Sequence, residues 1–167
     1  DMMSLVREYD LPYEFPEPVL IEAKGIKQEI DAKKIKNRLD LRNEEIFTID
    51  GEDAKDLDDA VQVKKLDNGN FMLGVHIADV SSYVREDSFL DREAIIRGTS
   101  VYMLDRVIPM LPVELSNGIC SLNAKQDRFA LSVIMEINKE GQVVISSDIR
   151  KTVICVSERM SYKGVQT

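Results

Sequence analysis

Between Thr48 and Val63 the chain reads TIDGEDAKDLDDAVQV, and ten positions within it hold Asp50, Glu52, Asp53, Asp56, Asp58 and Asp59. Carboxylates this dense repel one another, and a folded chain has to offset that repulsion. Oxygen donors from several aspartates suit Mg²⁺ or Ca²⁺, and Mg²⁺ commonly keeps waters and takes substrate phosphates as further ligands. A cation so held activates water and stabilises a departing oxygen, which is the chemistry of metal-assisted phosphodiester cleavage. Asp50 closes one strand-forming run, and Asp58 and Asp59 open the next, so the carboxylates converge if the loop folds back. The competing reading is a solvated acidic turn, the usual fate of a charge run.

Other site chemistries find less support. Counted from Asp50 or from Asp56, the sixth-position glycine and twelfth-position glutamate of a calcium-binding EF-hand do not both occur. A Walker loop, a dinucleotide-binding glycine motif and a paired-cysteine zinc site are absent from the sequence. His76, the single histidine, lies in an apolar run and reads as a hydrogen-bonded core residue. Cys120 and Cys155 sit far apart in apolar settings and read as buried free thiols of a reducing compartment.

The 167 residues amount to about one domain, 44% hydrophobic and 31% charged, enough for a real core. No apolar run of about eighteen residues is present, so no transmembrane helix is expected, and the N-terminal DMMSLVREYD has no secretory core. Net charge is −8, from 30 acidic against 22 basic residues, which argues against broad nucleic-acid binding through a basic face. It leaves room for a nucleic-acid enzyme that concentrates carboxylates at a metal.

The elements that must position the acidic loop divide the chain in two. Residues 1–45 read as a helical or extended lead-in, with SLVREYDL stopped by Pro12 and a second short helix opened by Pro16 and Pro18. Residues 46–167 read as mixed α/β of the α+β kind, a largely antiparallel sheet with an inserted helix. In it, IFTI is a strand, and AVQVKKL and FMLGVHIADV form a hairpin around Asp67-Asn68-Gly69-Asn70. DSFLDREAIIRGTS reads as a helix with Phe89, Leu90, Ala94 and Ile95 on one side, and VYMLDRVIPMLP as an irregular segment broken by prolines. RFALSVIMEINKEGQVVISSDIRKTVICV reads as two long strands around the turn from Asn138 to Gly141.

With these stretches in view, the chain resembles the catalytic (RNB) domain of the RNase II/RNase R exoribonuclease family. The resemblance rests on TIDGEDAKDLDDAV, GVHIADVSSYV, LDREAIIRGTSVY, IPMLPVELSNGICSLNAKQDRFALSV and SERMSY, in the family's order, over about residues 36–167. It leans towards RNase R, and EYDLPYEFPEPVLIEA is similar to the segment before that domain. The resemblance implies a cytoplasmic, processive 3′→5′ hydrolase that takes the 3′ end of single-stranded RNA, releases nucleoside 5′-monophosphates and uses Mg²⁺, with Mn²⁺ as a substitute.

By the same resemblance, the catalytic and metal-binding residues are Asp50, Asp56, Asp58 and Asp59. Asp50 and Asp59 would be direct ligands, Asp56 and Asp58 would complete the metal and water shell, and Asp58 would be the hardest to replace. Glu52 and Asp53 match positions without a catalytic role. Tyr102 matches an aromatic that stacks near the RNA 3′ end, and Tyr162 a tyrosine that selects RNA over DNA. The family's later arginine, glutamate and second aromatic are not in this sequence. It therefore reads as the first half of a catalytic domain, expected to be inactive alone and to self-associate through exposed core edges. Two alternatives stay open: a non-catalytic RNB-like module that binds RNA or protein, and a Ca²⁺-binding structural loop.

Overall fold

A computed structural model describes residues 2–146 and 148–166. The lead-in starts with helix α1 (Met2–Glu8), followed by Asp10 at a φ of 47° and then Pro12. Helix α2 (Glu17–Lys24) follows Pro16 and carries Pro18 in its first turn, where a missing N–H leaves no bond unmade. Helix α3 (Ala32–Ile35) is one turn, capped by the Asp31 carboxylate accepting from the Lys33 amide at 2.9 Å. Strand β1 (Leu39–Asp40) then joins the main sheet, so the sheet takes in chain ahead of residue 46.

That sheet also contains β2 (Phe47–Asp50), β3 (Asp59–Lys65) and β4 (Phe71–Ala78). Helix α4 (Phe89–Arg97) and a small sheet of β5 (Val101–Tyr102) with β6 (Val107–Ile108) intervene. Strands β7 (Asp127–Ile137), β8 (Val143–Ser146), β9 (Arg150–Cys155) and β10 (Glu158–Ser161) complete the sheet, and α5 (Tyr162–Val165) follows. The order is β1-β9-β7-β4-β3-β2-β10, with β8 paired to β7. The pairs β1–β9 and β2–β10 are parallel and the others antiparallel. The mixed helix-and-sheet class expected from the sequence is the class observed.

The hairpin of β3 and β4 turns where Asn-Gly stands: Gly69 has a φ of 85°, and the Leu66 amide donates to the Asn70 carbonyl at 2.8 Å. Side chains alternate between the two faces of the sheet. One face packs Ala60, Ala78, Ala130 and Ile154 with Leu57, Leu122 and Val156 in the main core. Its centre is polar: buried Gln62, His76, Ser132 and Thr152 sit on neighbouring strands, with His76 Nδ1 2.7 Å from Ser132 Oγ. The other face leaves Val63, Phe71, Ile77 and Val143 exposed. A second core joins Val19 and Ala23 of α2 to Leu90 of α4, Leu115, Ile119 and Cys120.

Four expectations need correction. The buried face of α4 is Leu90, Glu93 and Ala94, whereas Phe89 and Ile95 are exposed. Glu93 goes inside because Arg97 pairs with it at 2.8 Å and lies 3.6 Å over the Phe15 ring, so this buried charge is compensated. The segment after Arg97 is not wholly irregular, since β5 and β6 pair antiparallel before the prolines. The second long strand is two strands, β8 and β9, which share one edge of β7; residue 147 lies outside the described residues. Of the two thiols, both free, Cys120 is buried and Cys155 only half-buried.

Candidate active site

Strand β2 delivers Asp50 to its C-terminal end, and β3 starts at Asp59. The antiparallel register pairs Phe47 with Val61, which brings the end of β2 alongside the start of β3. The loop between is pinned at Leu57, the one large apolar side chain among its carboxylates, 1% exposed in the main core. The Leu57 amide donates to Ser121 Oγ at 3.1 Å, Ser121 Oγ donates to the Lys55 carbonyl at 2.8 Å, and the Leu122 amide donates to the Leu57 carbonyl at 2.9 Å. The Asp58 carbonyl accepts from the Ala78 amide at 2.9 Å. With Leu57 anchored inward, Asp58 and Asp59 remain exposed and Asp56 half-buried.

The four aspartates lie near enough to act on one another electrostatically. Burial and the neighbouring Asp59 raise the Asp50 carboxyl above its ordinary value, while Arg159 works in the opposite sense. Asp58 is raised too, first by desolvation among surrounding chain atoms despite its exposed surface, then by Asp56, Asp59 and Asp50. Asp50 Oδ2 is buried without a hydrogen-bond partner. Such an orphaned oxygen beside crowded carboxylates suits a cation by charge and donor type. Among the described residues, no three such groups already stand close enough to hold a metal ion. The donor set fits a divalent cation by charge and donor type, but its carboxylates would have to close on one another to bind one.

Both tyrosines expected from the sequence border this cluster. The Tyr102 hydroxyl, at the end of β5, donates to the Asp56 carboxylate, and that bond, with lesser help from burial, pushes the phenol up to about 12. Tyr102 is 63% exposed. In the parallel pair of β2 and β10, Ser161 stands opposite Asp50, so Tyr162, the next residue, starts α5 beside the Asp50 strand end. The Ser161 hydroxyl caps that turn by accepting from the Gly164 amide at 3.1 Å.

Sequence reasoning passed over the groups that hold the loop. Arg159 donates to the carbonyls of Gly51 and Glu52 at 3.0 and 2.7 Å, and the Glu52 carboxylate lies 3.5 Å from Lys163 Nζ, which suits a structural role for Glu52. Only the lone leucine in KDLDD signals its anchor; nothing local to Ser121 or Arg159 does. His76 is fully buried, and burial lowers its imidazole to about 4, as a neutral core residue requires.

The RNB domain family matches residues 38–167. The chain is 54% identical to Ribonuclease R 1 of Lactococcus lactis and 55% identical to Ribonuclease R of Thermotoga maritima. In each case it is matched over 99% of its own length but covers only 20% and 23% of those proteins. It therefore spans about a fifth to a quarter of these relatives. Among solved structures it is similar to Mycoplasma genitalium RNase R in complex with double-stranded RNA, with a TM-score of 0.92 and 31% identity over 98% of this chain and 29% of that one. The same enzyme with ribose methylated single-stranded RNA gives a TM-score of 0.91 at 31% identity, over 98% of this chain and 25% of that one. Yeast Ssd1, a pseudonuclease, gives 0.72 at 25% identity, over 81% of this chain and 17% of that one. The family match covers most of the residues and carries every aspartate of the cluster, and the chain belongs to the RNB domain family.

Proposed function

We propose that this chain carries the aspartate centre of a 3′→5′ exoribonuclease that hydrolyses single-stranded RNA to nucleoside 5′-monophosphates. What supports this reading is the mutual repulsion of Asp50, Asp56, Asp58 and Asp59 between the end of β2 and the start of β3, beside a buried, unpartnered Asp50 oxygen. The four carboxylates would hold Mg²⁺, with Mn²⁺ as a substitute. When bound, the cation supplies a more acidic water and screens charge on the departing oxygen.

The chain's own residues supply positioning. Asp58, raised first by desolvation and then by Asp56, Asp59 and Asp50, would be the carboxylate hardest to replace. The exposed ring of Tyr102 offers a stacking platform for the terminal bases, a grip that every base can satisfy. Tyr162, which follows the Ser161 paired with Asp50, would meet the terminal ribose, whose 2′-hydroxyl distinguishes RNA from DNA. The cytoplasm is the compartment this activity fits, and among the described residues no helix is long and apolar enough to cross a membrane. Exposed Val63, Phe71, Ile77 and Val143 on one sheet face provide a surface through which copies of the isolated chain associate.

The similarity to a pseudonuclease favours a second reading, a binding module without catalysis. Against it stand four intact aspartates. The test incubates single-stranded RNA with the full-length enzyme and, separately, with residues 1–167, in Mg²⁺, Mn²⁺, Ca²⁺ or EDTA. The proposal expects mononucleotides from the full-length enzyme in Mg²⁺ or Mn²⁺ and none from the 167 residues alone. RNA binding without release in any metal would leave the binding module; stabilisation by Ca²⁺ alone would leave the structural loop.

A further inference from the structure

Away from the aspartates, a cavity of about 380 Å³ is lined by Lys34, Arg38, Arg85 and Lys151, with Asn37 and two serines between them. Its described lining includes no carboxylate, in a chain whose net charge is −8. Arg38 forms the floor: its side chain is 5% exposed, bound to Asp79 at 2.6 Å and to Ser82 Oγ at 2.6 Å, and it lies 4.0 Å over the Phe129 ring. Asp79 offsets that one charge. The Lys34 ammonium donates only to a neutral group, the Ser82 carbonyl at 3.0 Å, and neither Arg85 nor Lys151 joins an ion pair among the described residues. Three cations without an ion-pair partner among the described residues thus line one space, a repulsion that an anion bearing several oxygens would relieve.

The sheet register shows where such an anion would lie. Asp59 pairs with Ile77, Ile77 with Leu131, and Leu131 with Lys151, one row across β3, β4, β7 and β9. Members of a row present their side chains on the same face. Three steps of about 4.8 Å put Lys151 about 14 Å from Asp59, with the exposed Ile77 between them. At a stacked rise of about 3.4 Å per nucleotide, that is about four nucleotides. A larger neighbouring cavity shares Lys34 and Arg85 but also has Glu22, Glu29 and Asp31 in its wall, so the unopposed positive charge lies on the Lys151 side.

We propose that the Lys34–Arg38–Arg85–Lys151 cavity is a phosphodiester-binding subsite that holds an RNA strand about four nucleotides upstream of the end presented to Asp59. This assignment rests on the exoribonuclease reading; the anion site itself rests on the cavity alone. The site grips backbone charge and reads no bases, so its contribution is independent of sequence and falls with salt.

The test measures fluorescence anisotropy of 5′-labelled oligoribonucleotides of three and ten nucleotides, in EDTA so that nothing is hydrolysed, across a salt series. The protein is the full-length enzyme, unsubstituted or as Arg85→Gln, Lys151→Gln, their double variant, or Lys65→Gln as a surface control. For the ten-nucleotide RNA, each cavity substitution is expected to weaken binding about threefold or more. Each should also reduce the slope of log affinity against log salt by about 0.7, the loss of one phosphate contact on a single strand. The three-nucleotide RNA and Lys65→Gln should show no change. An unchanged slope in the double variant, equal losses for both RNA lengths, or no binding by the unsubstituted enzyme would each overturn the proposal. Failure of the exoribonuclease reading looks different: Asp58→Asn would leave hydrolysis intact while the cavity variants still lost their slope.

Discussion

The Tyr102 hydroxyl donates to the Asp56 carboxylate and so ties the end of β5 to an aspartate 46 residues earlier in the chain. The bond ties an exposed aromatic residue to the acidic loop. In the full-length enzyme, Tyr102→Ala should cost about 1–3 kcal/mol of grip on the RNA 3′ end and alter the length of the final undegraded product. Tyr102→Phe keeps the ring and should stay near the parent. Identical product ladders for parent and Tyr102→Ala would make the tyrosine a structural residue only.

The crowded carboxylates lower the stability of the fold. For Asp58 the folded value lies above the unfolded one, so the native state holds the proton more readily. Stability from this group therefore rises as pH falls through the raised value towards the ordinary carboxylate value, and at neutral pH its charge is a net cost. Screening at this exposed position limits the cost to about 0.5 kcal/mol. Asp58→Asn should accordingly raise the melting temperature of the metal-free chain by about 1–2 °C at pH 7, with no advantage near pH 4. Calorimetry of both proteins against pH checks this, and a variant that melts lower at pH 7 would contradict it.

His76 works in the other direction. Burial puts its folded value at about 4, below the ordinary 6.5. Its contribution is complete above pH 6.5 and is lost as pH falls towards 4, because the unfolded chain takes up the proton first. The gap corresponds to on the order of 3 kcal/mol. Denaturant unfolding between pH 7 and pH 4 should show this loss, and His76→Gln should flatten it. As the only histidine in the sequence, it gives one NMR titration curve, and a midpoint near 6.5 would refute the buried neutral state.

What the sequence could show was mostly local. Asn68-Gly69 marks its own turn, and the acidic residues of the loop mark the site, because both signals lie within a few positions. The face of α4 could not be read this way. The partner that allows Glu93 inside, Arg97, lies over the Phe15 ring from 82 residues upstream, so apolar periodicity found Leu90 and Ala94 but missed Glu93 and wrongly added Phe89 and Ile95. The break between β8 and β9 has a similar cause: which half of β7 each strand joins depends on pairing across the sheet. Ser121 and Arg159 hold the acidic loop from 64 and 108 positions away, with no pattern of their own to announce it.

The central claim is that the aspartate cluster performs the chemistry. Its most direct test compares the full-length enzyme with its Asp58→Asn variant, which keeps the side-chain shape and removes one charge. The measurement follows mononucleotide release from single-stranded RNA in Mg²⁺ alongside RNA affinity. The account predicts a rate at least about a hundredfold lower, the scale of losing one preorganised electrostatic group, with binding retained. A variant that degrades RNA within a few-fold of the parent rate would show that the chemistry lies elsewhere.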